Sequence, residues 1–545
     1  MFPLRSLGPV LSLSSWFLGY VAALDYVDCS PPSGQRSLEE RLTWEDVIHY
    51  THSFKSTNLA PVKVCVTHRS TDKDKWVSDD VYYVICPRGA GIPHPGPLMV
   101  DTYGNPVWFG NFDCFNFNVF HVKDRPVITY WTGLDQNGYG KGRGHFLDSS
   151  YRHFTTLRPY TTTGADLHEF NIPQVLGKDT ALISSYVPTP WDLSTLPNGT
   201  SKSWVLDGIF MHRTIGELAE VVAGQFQELN ITDGSIVFNW STAEHIPLDR
   251  TYVNAKIFQW GMPERGTGDS PYSAFDAFHI NAIDKNEEGD YIISYRHLHQ
   301  VVKVNGTTGD VIWSLGGKES DLELGEGVAF YWQHDVRWQG VDHITLFDNG
   351  AADWVIEEPM SRGLYIKLDE ELMVATLEKE WGPVYNHTSQ SQGSVQLWGE
   401  NVVMGYGSNP WIEEYTWDGE VVFAATIGPT NRSLTINGIY QSYRAFKVQW
   451  TGSPHTLPDI AAEGNDTGTY VYVSWNGQTQ TRSYRLYGTT GFDFDDIKEI
   501  KTVSKGREFE TTIPVDDTLL TMLEVAALDA DGRELGRTCT LQIHT

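Results

Sequence analysis

Short apolar and aromatic runs, each entered through a turn holding Gly or Asp, recur along most of this chain: Y-G-N-P-V-W-F from Tyr103, D-G-S-I-V-F-N-W from Asp233, T-G-D-V-I-W from Thr308 and D-G-E-V-V-F from Asp418. A second form carries more polar positions, as in E-G-D-Y-I-I-S-Y from Glu288 and G-E-N-V-V-M-G-Y from Gly399. Runs this short, rich in β-branched and aromatic residues and bounded by turns, predict strands. Repeated at roughly 40 to 75 residue intervals, they predict a β-propeller, whose blades are four-stranded antiparallel sheets. The uneven spacing implies insertions between blades, and a two-sheet sandwich accounts poorly for so many repeats. From Asp459 the pattern changes to clean alternation with a turn about every ten residues, as in Y-V-Y-V-S-W from Tyr470 and M-L-E-V-A-A-L-D from Met522. That predicts a small antiparallel β-sandwich of immunoglobulin/fibronectin III-like type over residues 459–545, after a propeller domain with its lead-in over 24–458. The fold class is all-β.

Composition narrows the partners. Aromatic residues make up 13% of the 545 positions and there are 50 glycines, which suits an all-β chain of two domains. A formal net charge of -29, with no compensating Lys/Arg run, repels nucleic acid and anionic membrane surfaces. At the start, Arg5 precedes an apolar run through Leu11, Leu13, Trp16, Phe17 and Val21 that ends in Ala22-Ala23, which predicts a secretory signal over 1–23. The run is too short to span a bilayer. N-x-S/T sequons at Asn198, Asn230, Asn239, Asn305, Asn386, Asn431 and Asn465 agree with a secreted glycoprotein. The five cysteines, Cys29, Cys65, Cys86, Cys114 and Cys539, are an odd number, so in an oxidising compartment at least one stays free or pairs between chains. None forms a C-x-x-C pair, which argues against structural zinc and thioredoxin-like chemistry.

Candidate chemistry concentrates between Asp276 and Gly350, where D-A-F-H-I-N, I-S-Y-R, Q-H-D and F-D-N-G place polar groups at strand positions otherwise expected to be apolar. Alternation along a strand would put His279 and Asn281 on one face. His168 in D-L-H-E-F, Arg296 and His334 lie in or beside strands of other repeats, and the inner strands of a propeller converge on its axis. Taken singly, each histidine is more commonly a satisfied, partly buried residue. H-L-H at His297 and His299 reads as two imidazoles on one strand face without a nearby carboxylate, and with no H-E-x-x-H pair no metal is expected. A quinone-dependent propeller would repeat T-G-x-x-x-W in every blade, whereas only T-G-D-V-I-W from Thr308 fits, and a serine hydrolase would carry G-x-S-x-G in a strand-to-helix context, which is not found.

In order along the chain, D-L-H-E-F, D-A-F-H-I-N-A-I-D with G-D-Y-I-I-S-Y-R, T-G-D-V-I-W-S-L-G-G, W-Q-H-D-V-R and L-F-D-N-G resemble the arylsulfotransferase (ASST) family, in the form common in fungal genomes. S-Q-G-S-V-Q from Ser391, G-Y-G-S-N-P-W-I-E-E-Y from Gly405 and V-S-W-N-G from Val473 extend the resemblance. It implies a six-bladed β-propeller and an enzyme that moves a sulfuryl group between phenolic compounds without a nucleotide donor or any cofactor. The absence of a G-x-x-x-x-G-K-[ST] cradle agrees with that. The resemblance implies that His334 is transiently sulfated, that His279, Arg296 and His168 assist, and that Asn281, Asp335 and Asn349 contact substrate. Sulfuryl transfer, like phosphoryl transfer, has a loose transition state, so positioning and charge stabilisation dominate. A neutral imidazole can attack sulfur, an arginine fork can hold sulfuryl oxygens, and a second histidine can move the phenolic proton, giving ping-pong kinetics. Two other classes use the same residues: a propeller enzyme guiding a cyclisation in fungal secondary metabolism, and a non-catalytic secreted binding module.

Overall fold

The structure, a computed structural model, describes residues 50–543 apart from 73–74, 76–79, 137, 160, 162, 175–179, 197–200, 213–227, 231–235, 254–265, 429–437, 466–467 and 517. The predicted leader over 1–23, Cys29 and the sequons at Asn198 and Asn431 lie outside the described residues. Every described strand ladder is antiparallel except a short one that joins Glu323–Leu324 to Val374–Trp381.

The turn-and-strand units become strands in successive sheets. One sheet joins Phe115–Val122, Arg125–Asp135, Gly140–Leu147 and His153–Leu157, and the next is built on the long hairpin Thr180–Trp191 and Ser203–His212. A third runs from Ile280–Lys285 through Tyr291–Tyr295 and Gln300–Val304 to Val311–Gly316, and a fourth is centred on His334–Gln339, His343–Asp348 and Arg362–Asp369. Two more sheets draw on both ends of this region. Val64–Arg69 pairs with Val421–Ile427, and Val81–Ile85 pairs with Ala445–Gln449. The turns work as read: Gly289 and Gly419 have φ of +94° and +87°, values that glycine reaches without a Cβ clash.

Hydrophobic faces of consecutive sheets interlock. Ile280, Ile293 and Val302 pack on Leu182 and Val205, whereas the opposite face of the same sheet, through Ile292, Val301 and Trp313, packs on Val336, Ile344 and Leu364. Phe347 and Trp381 meet Val402 and Met404; Val403 and Phe423 meet Tyr83 and Leu98; Val84 and Met99 meet Phe117 and Ile128; Phe115 and Phe146 meet Phe170 and Ile183. Each sheet therefore has a neighbour on both faces, which is why its strands are apolar on alternate residues of both parities.

Beyond Gln449 the chain forms two further sheets, one of Asp459–Asn465, Gly468–Ser474 and Glu510–Asp516 and one built on Ser483–Thr489 and Met522–Leu528. Val471, Val473 and Ile513 from the first meet Leu486, Leu523 and Val525 from the second in one core. The Asn476 side chain grips Phe109 by donating to its carbonyl and accepting from its amide, both at 2.9 Å, and the Tyr151 hydroxyl donates to Gly477 O at 2.7 Å.

Cys86 and Cys114 form a disulfide across 28 residues, tying the end of Val81–Ile85 to the start of Phe115–Val122. Cys65 is also disulfide-bonded, and Cys539 is free and exposed. Closing a loop of that size restricts the unfolded chain, so Cys86→Ser with Cys114→Ser should lower stability by about 3 kcal/mol in denaturant titration. A loss below about 1 kcal/mol would show that the two sheets are already fixed by packing. Among the sequons with described side chains, Asn386 is exposed, whereas Asn239 and Asn305 are half-buried. Asn230 and Asn465 lie on strands, with side chains outside the described set. No described helix is long and apolar enough to cross a membrane.

Candidate functional site

His168, His279, Arg296 and His334, drawn from distant parts of the chain, line one cavity of about 320 Å³. Two carboxylates set the first pair of histidines. Asp166 Oδ2 lies 2.6 Å from His168 Nδ1 and also accepts the His168 backbone N–H at 2.9 Å. Asp276 repeats the arrangement for His279, with Oδ2 at 2.5 Å from Nδ1 and Oδ1 accepting the backbone N–H at 3.1 Å. Each Nδ1 is engaged, so each Nε2 is the nitrogen left for the cavity. The two rings meet edge to face with centroids 4.6 Å apart. Neutral His279 therefore offers the cavity an acceptor; it becomes a donor there only when protonated.

The chain reaches these positions by breaking strand alternation. His279 and Asp335 have φ of 51° and 55°, and the pairing register slips beside each of them. Left-handed residues at the heads of these strands let neighbouring side chains leave in directions a regular strand forbids. The same-face reading of His279 and Asn281 is corrected accordingly: Asn281 is buried in the wall and donates from Nδ2 to Gln333 O at 2.6 Å, away from the cavity lining. Asp335, expected to contact substrate, is also turned away. It is fully buried, in ion contact with Arg337 at 2.8 Å and Arg444 at 3.1 Å, and it accepts the Val395 N–H.

Asn349, the third residue expected at substrate, holds His334 instead. Its Oδ1 accepts the His334 Nδ1–H at 2.7 Å, and its amide nitrogen donates to Ser389 O and Gln392 O. The Nε2 lone pair of His334 accepts the backbone N–H of Gln392 at 3.1 Å. Burial and then the Arg296 charge push His334 well below 6.5, so its imidazole is neutral. Burial acts in the same direction on His279 and His297.

Arg296 opens a short 3-10 turn, Arg296–Leu298. Its Nη2 donates to Gln390 O at 3.0 Å and its Nη1 to His297 Nε2 at 3.1 Å, whereas its buried Nε has no partner among the described residues. Trp332 and Trp354 face the guanidinium at 5.4 and 5.8 Å. The H-L-H element is thus in a turn, not on a strand face. His297 faces the cavity, and His299 stacks on Tyr252. A carboxylate is close as well: donor atoms of Asp276, His279 and His297 lie within 4.8 Å of one another. Both nitrogens of His297 are already engaged, Nδ1 with Asp276 O at 2.6 Å and Nε2 with Arg296, so a metal ion would have to displace a guanidinium that already supplies positive charge.

Sequence reasoning missed four contributors. Asp166 and Asp276 stand two and three residues before their histidines, a spacing that was visible in D-L-H and D-A-F-H. Gln392 carries no such signal. Tyr443 packs its ring on His168 and His334 with centroids 5.7 and 6.2 Å away, and its buried hydroxyl has no hydrogen-bond partner among the described residues. Three unsatisfied donors on residues lining one cavity, Arg296 Nε, Arg88 Nε and the Tyr443 hydroxyl, call for a ligand with acceptor oxygens.

An all-β chain that gathers imidazoles, a guanidinium and a phenol around one cavity has the means for group transfer at an anionic centre. Residues 118–428, more than half of the chain, match the sequence profile of the arylsulfotransferase (ASST) family, and the protein belongs to that family. No curated protein matches the chain. Among solved structures, periplasmic gluconolactonase PpgL from Pseudomonas aeruginosa is similar at 9% identity and a TM-score of 0.35, over 68% of this chain and 99% of that one. The β-propeller domain of Cps50 (Swd1) from Myceliophteria thermophila is similar at 12% identity and a TM-score of 0.31, over 58% and 89%. At such scores neither carries an argument about this chain.

Proposed function

We propose that this protein is a nucleotide-independent aryl sulfotransferase-like enzyme, built as a six-bladed propeller with a C-terminal immunoglobulin/fibronectin III-like sandwich, that works through a sulfated His334. The observation that carries the reading is one cavity holding His334 with a neutral Nε2 lone pair beside Arg296, His168, His279 and Tyr443. Nε2 attacks the sulfur of an aryl sulfate, the sulfur–oxygen bond to the aryl group breaks, and the departing phenolate takes the Nε2 proton of His168, which has to enter this step as the imidazolium with its Nδ1–H held by Asp166 and leaves it neutral. In the second half, His168 takes the proton of an acceptor phenol, whose oxygen attacks sulfur as the nitrogen–sulfur bond breaks. Asp166 and Asn349 fix the tautomers, while Arg296 and the Tyr443 hydroxyl donate to the sulfuryl oxygens. The Gln392 amide must leave Nε2 before attack and is then free to bond a sulfuryl oxygen. The Cys86–Cys114 disulfide supports passage through an oxidising compartment, as a secreted protein would make.

The test is steady-state release of 4-nitrophenol from 4-nitrophenyl sulfate with a phenol as acceptor. Parallel double-reciprocal lines and a sulfated acceptor are expected; free sulfate with no dependence on acceptor would mean hydrolysis and reject transfer. The pH dependence adds a sign. A group whose folded pKa lies below its ordinary value stays deprotonated as pH falls, so the His334 lone pair persists in mildly acidic solution. Single-turnover labelling of His334 should hold within about threefold from neutrality down to about pH 5.5. A tenfold fall per pH unit beginning near 6.5 would show an ordinary, solvated imidazole.

A further inference from the structure

The mouth of the cavity carries an element the transfer chemistry does not use. Ala351–Ala352 and Val355–Ile356 pair as a two-stranded hairpin with Ala351 opposite Ile356 and Ala352 opposite Val355, so Asp353 and Trp354 form its turn. Both side chains line the cavity. Trp354 is 41% exposed, meets Trp332 edge to face at 5.3 Å and lies near the Arg296 guanidinium. It is an aromatic wall reaching from the buried cation to the opening.

Charge around that wall is uneven. Arg88, also in the cavity lining, has its charge offset by Asp113 at 3.4 Å and Asp135 at 3.1 Å through its two terminal nitrogens, whereas Arg296 has no carboxylate in direct ion contact among the described residues and is the cation placed to meet a sulfuryl group. Asp276 and Asp166 are engaged by their histidines. Asp353 is exposed, and no Lys, Arg or His nitrogen bonds or ion-pairs with it among the described residues. Without a direct ion pair, Asp353 is still the carboxylate whose charge acts most on Arg296, ahead of Asp276. A second negative charge on a substrate, placed beyond Arg296 at the mouth, would therefore meet a solvent-facing carboxylate without a direct ion pair in a protein whose net charge is -29. A positive one would be attracted there.

On the reading that this cavity takes aryl substrates, we propose that Asp353 and Trp354 select phenols bearing a cationic substituent, with the ring against the Trp354 indole and an ammonium group facing Asp353. The class is phenolic amines rather than phenolic acids. The source of selection is a long-range charge pair at a half-open mouth, so its size is modest and falls with ionic strength.

Tyramine, 4-ethylphenol and 4-hydroxyphenylacetate share one ring and nearly one length and differ in charge. Equilibrium binding of each to the full chain, by calorimetry at low salt, should rank them in that order with about a threefold to fivefold step between neighbours. Asp353→Asn should bring the three to within about twofold of each other, and Trp354→Leu should weaken all three by about tenfold while keeping the ranking. Both residues are exposed at a turn, and an unchanged circular dichroism spectrum verifies folding. Equal affinities in the unmodified chain, or a ranking that survives Asp353→Asn, would overturn the selection. Failure of all three phenols to bind would instead reject the aryl-substrate reading on which it rests, and the selection with it.

Discussion

Replacing His334 with alanine should lower sulfuryl transfer by at least about 10³-fold and abolish covalent labelling by aryl sulfate, because it removes the atom that forms the intermediate. Geometry makes the prediction specific. The Nε2 lone pair of His297 is taken by the Arg296 guanidinium, whereas that of His334 accepts only a neutral backbone N–H, from Gln392; His168 and His279 are tied through Nδ1 to carboxylates that suit them to proton transfer. His334 is tied instead to a neutral amide, that of Asn349, which fixes its tautomer without adding negative charge next to an incoming anion. Asn349→Ala should then cost less, about tenfold to a hundredfold, since the nucleophile remains and only its orientation is freed. Mass spectrometry of peptides from a single turnover identifies the labelled residue. Label on His168 or His279, or a variant lacking His334 that keeps more than about a tenth of the rate, would assign the covalent step elsewhere.

Changing Glu169 to glutamine should lower folding stability by about 3 to 5 kcal/mol, read from the midpoint of guanidinium unfolding, the scale expected when one member of a buried ion network is neutralised. Glu169 is fully buried, with Arg337 at 2.8 Å from Oε2, Arg444 at 2.8 Å from Oε1 and the Ile283 N–H at 2.9 Å. Arg444 also donates to Asn116 Oδ1 and Asn281 O. Burial pushes the Glu169 carboxyl up, but the two guanidinium groups outweigh it and hold it below 4.5. A depressed folded pKa means that this stabilisation is present above about pH 4.5 and is lost as pH falls through the folded value. The acid-side loss should therefore be smaller in the Gln variant. A stability change under about 1 kcal/mol would mean that water reaches the network. Its position ties it to the cavity: Glu169 follows His168, Asp335 follows His334 and Arg444 follows Tyr443. These three cavity residues are thus each next in sequence to a charge clamped in the buried network.

Much of this architecture was legible in the sequence. Strands entered through Gly and Asp turns, such as T-G-D-V-I-W at Val311–Gly316 and E-G-D-Y-I-I-S-Y at Tyr291–Tyr295, follow from local backbone preference and alternate burial. The same holds for the paired sheets beyond Asp459, whose inward residues alternate one by one. The candidate groups His168, His279, Arg296 and His334 were visible as polar residues where apolar ones were expected. Alternation assumes a regular backbone, and it failed where φ turned positive: His279 entered the cavity, whereas Asn281 and Asp335 went into the wall.

Strands, their turns and the side chains with chemistry to offer follow from the order of residues, because they depend on neighbours a few positions away. Which of them meet is set by how the sheets pack. The pairing of Val64–Arg69 with Val421–Ile427, the docking of Tyr443 against His168 and His334, and the choice between cavity and ion network are contacts across hundreds of residues. Such contacts are fixed by the register and packing of whole sheets, a sum over many weak interactions that no local pattern carries.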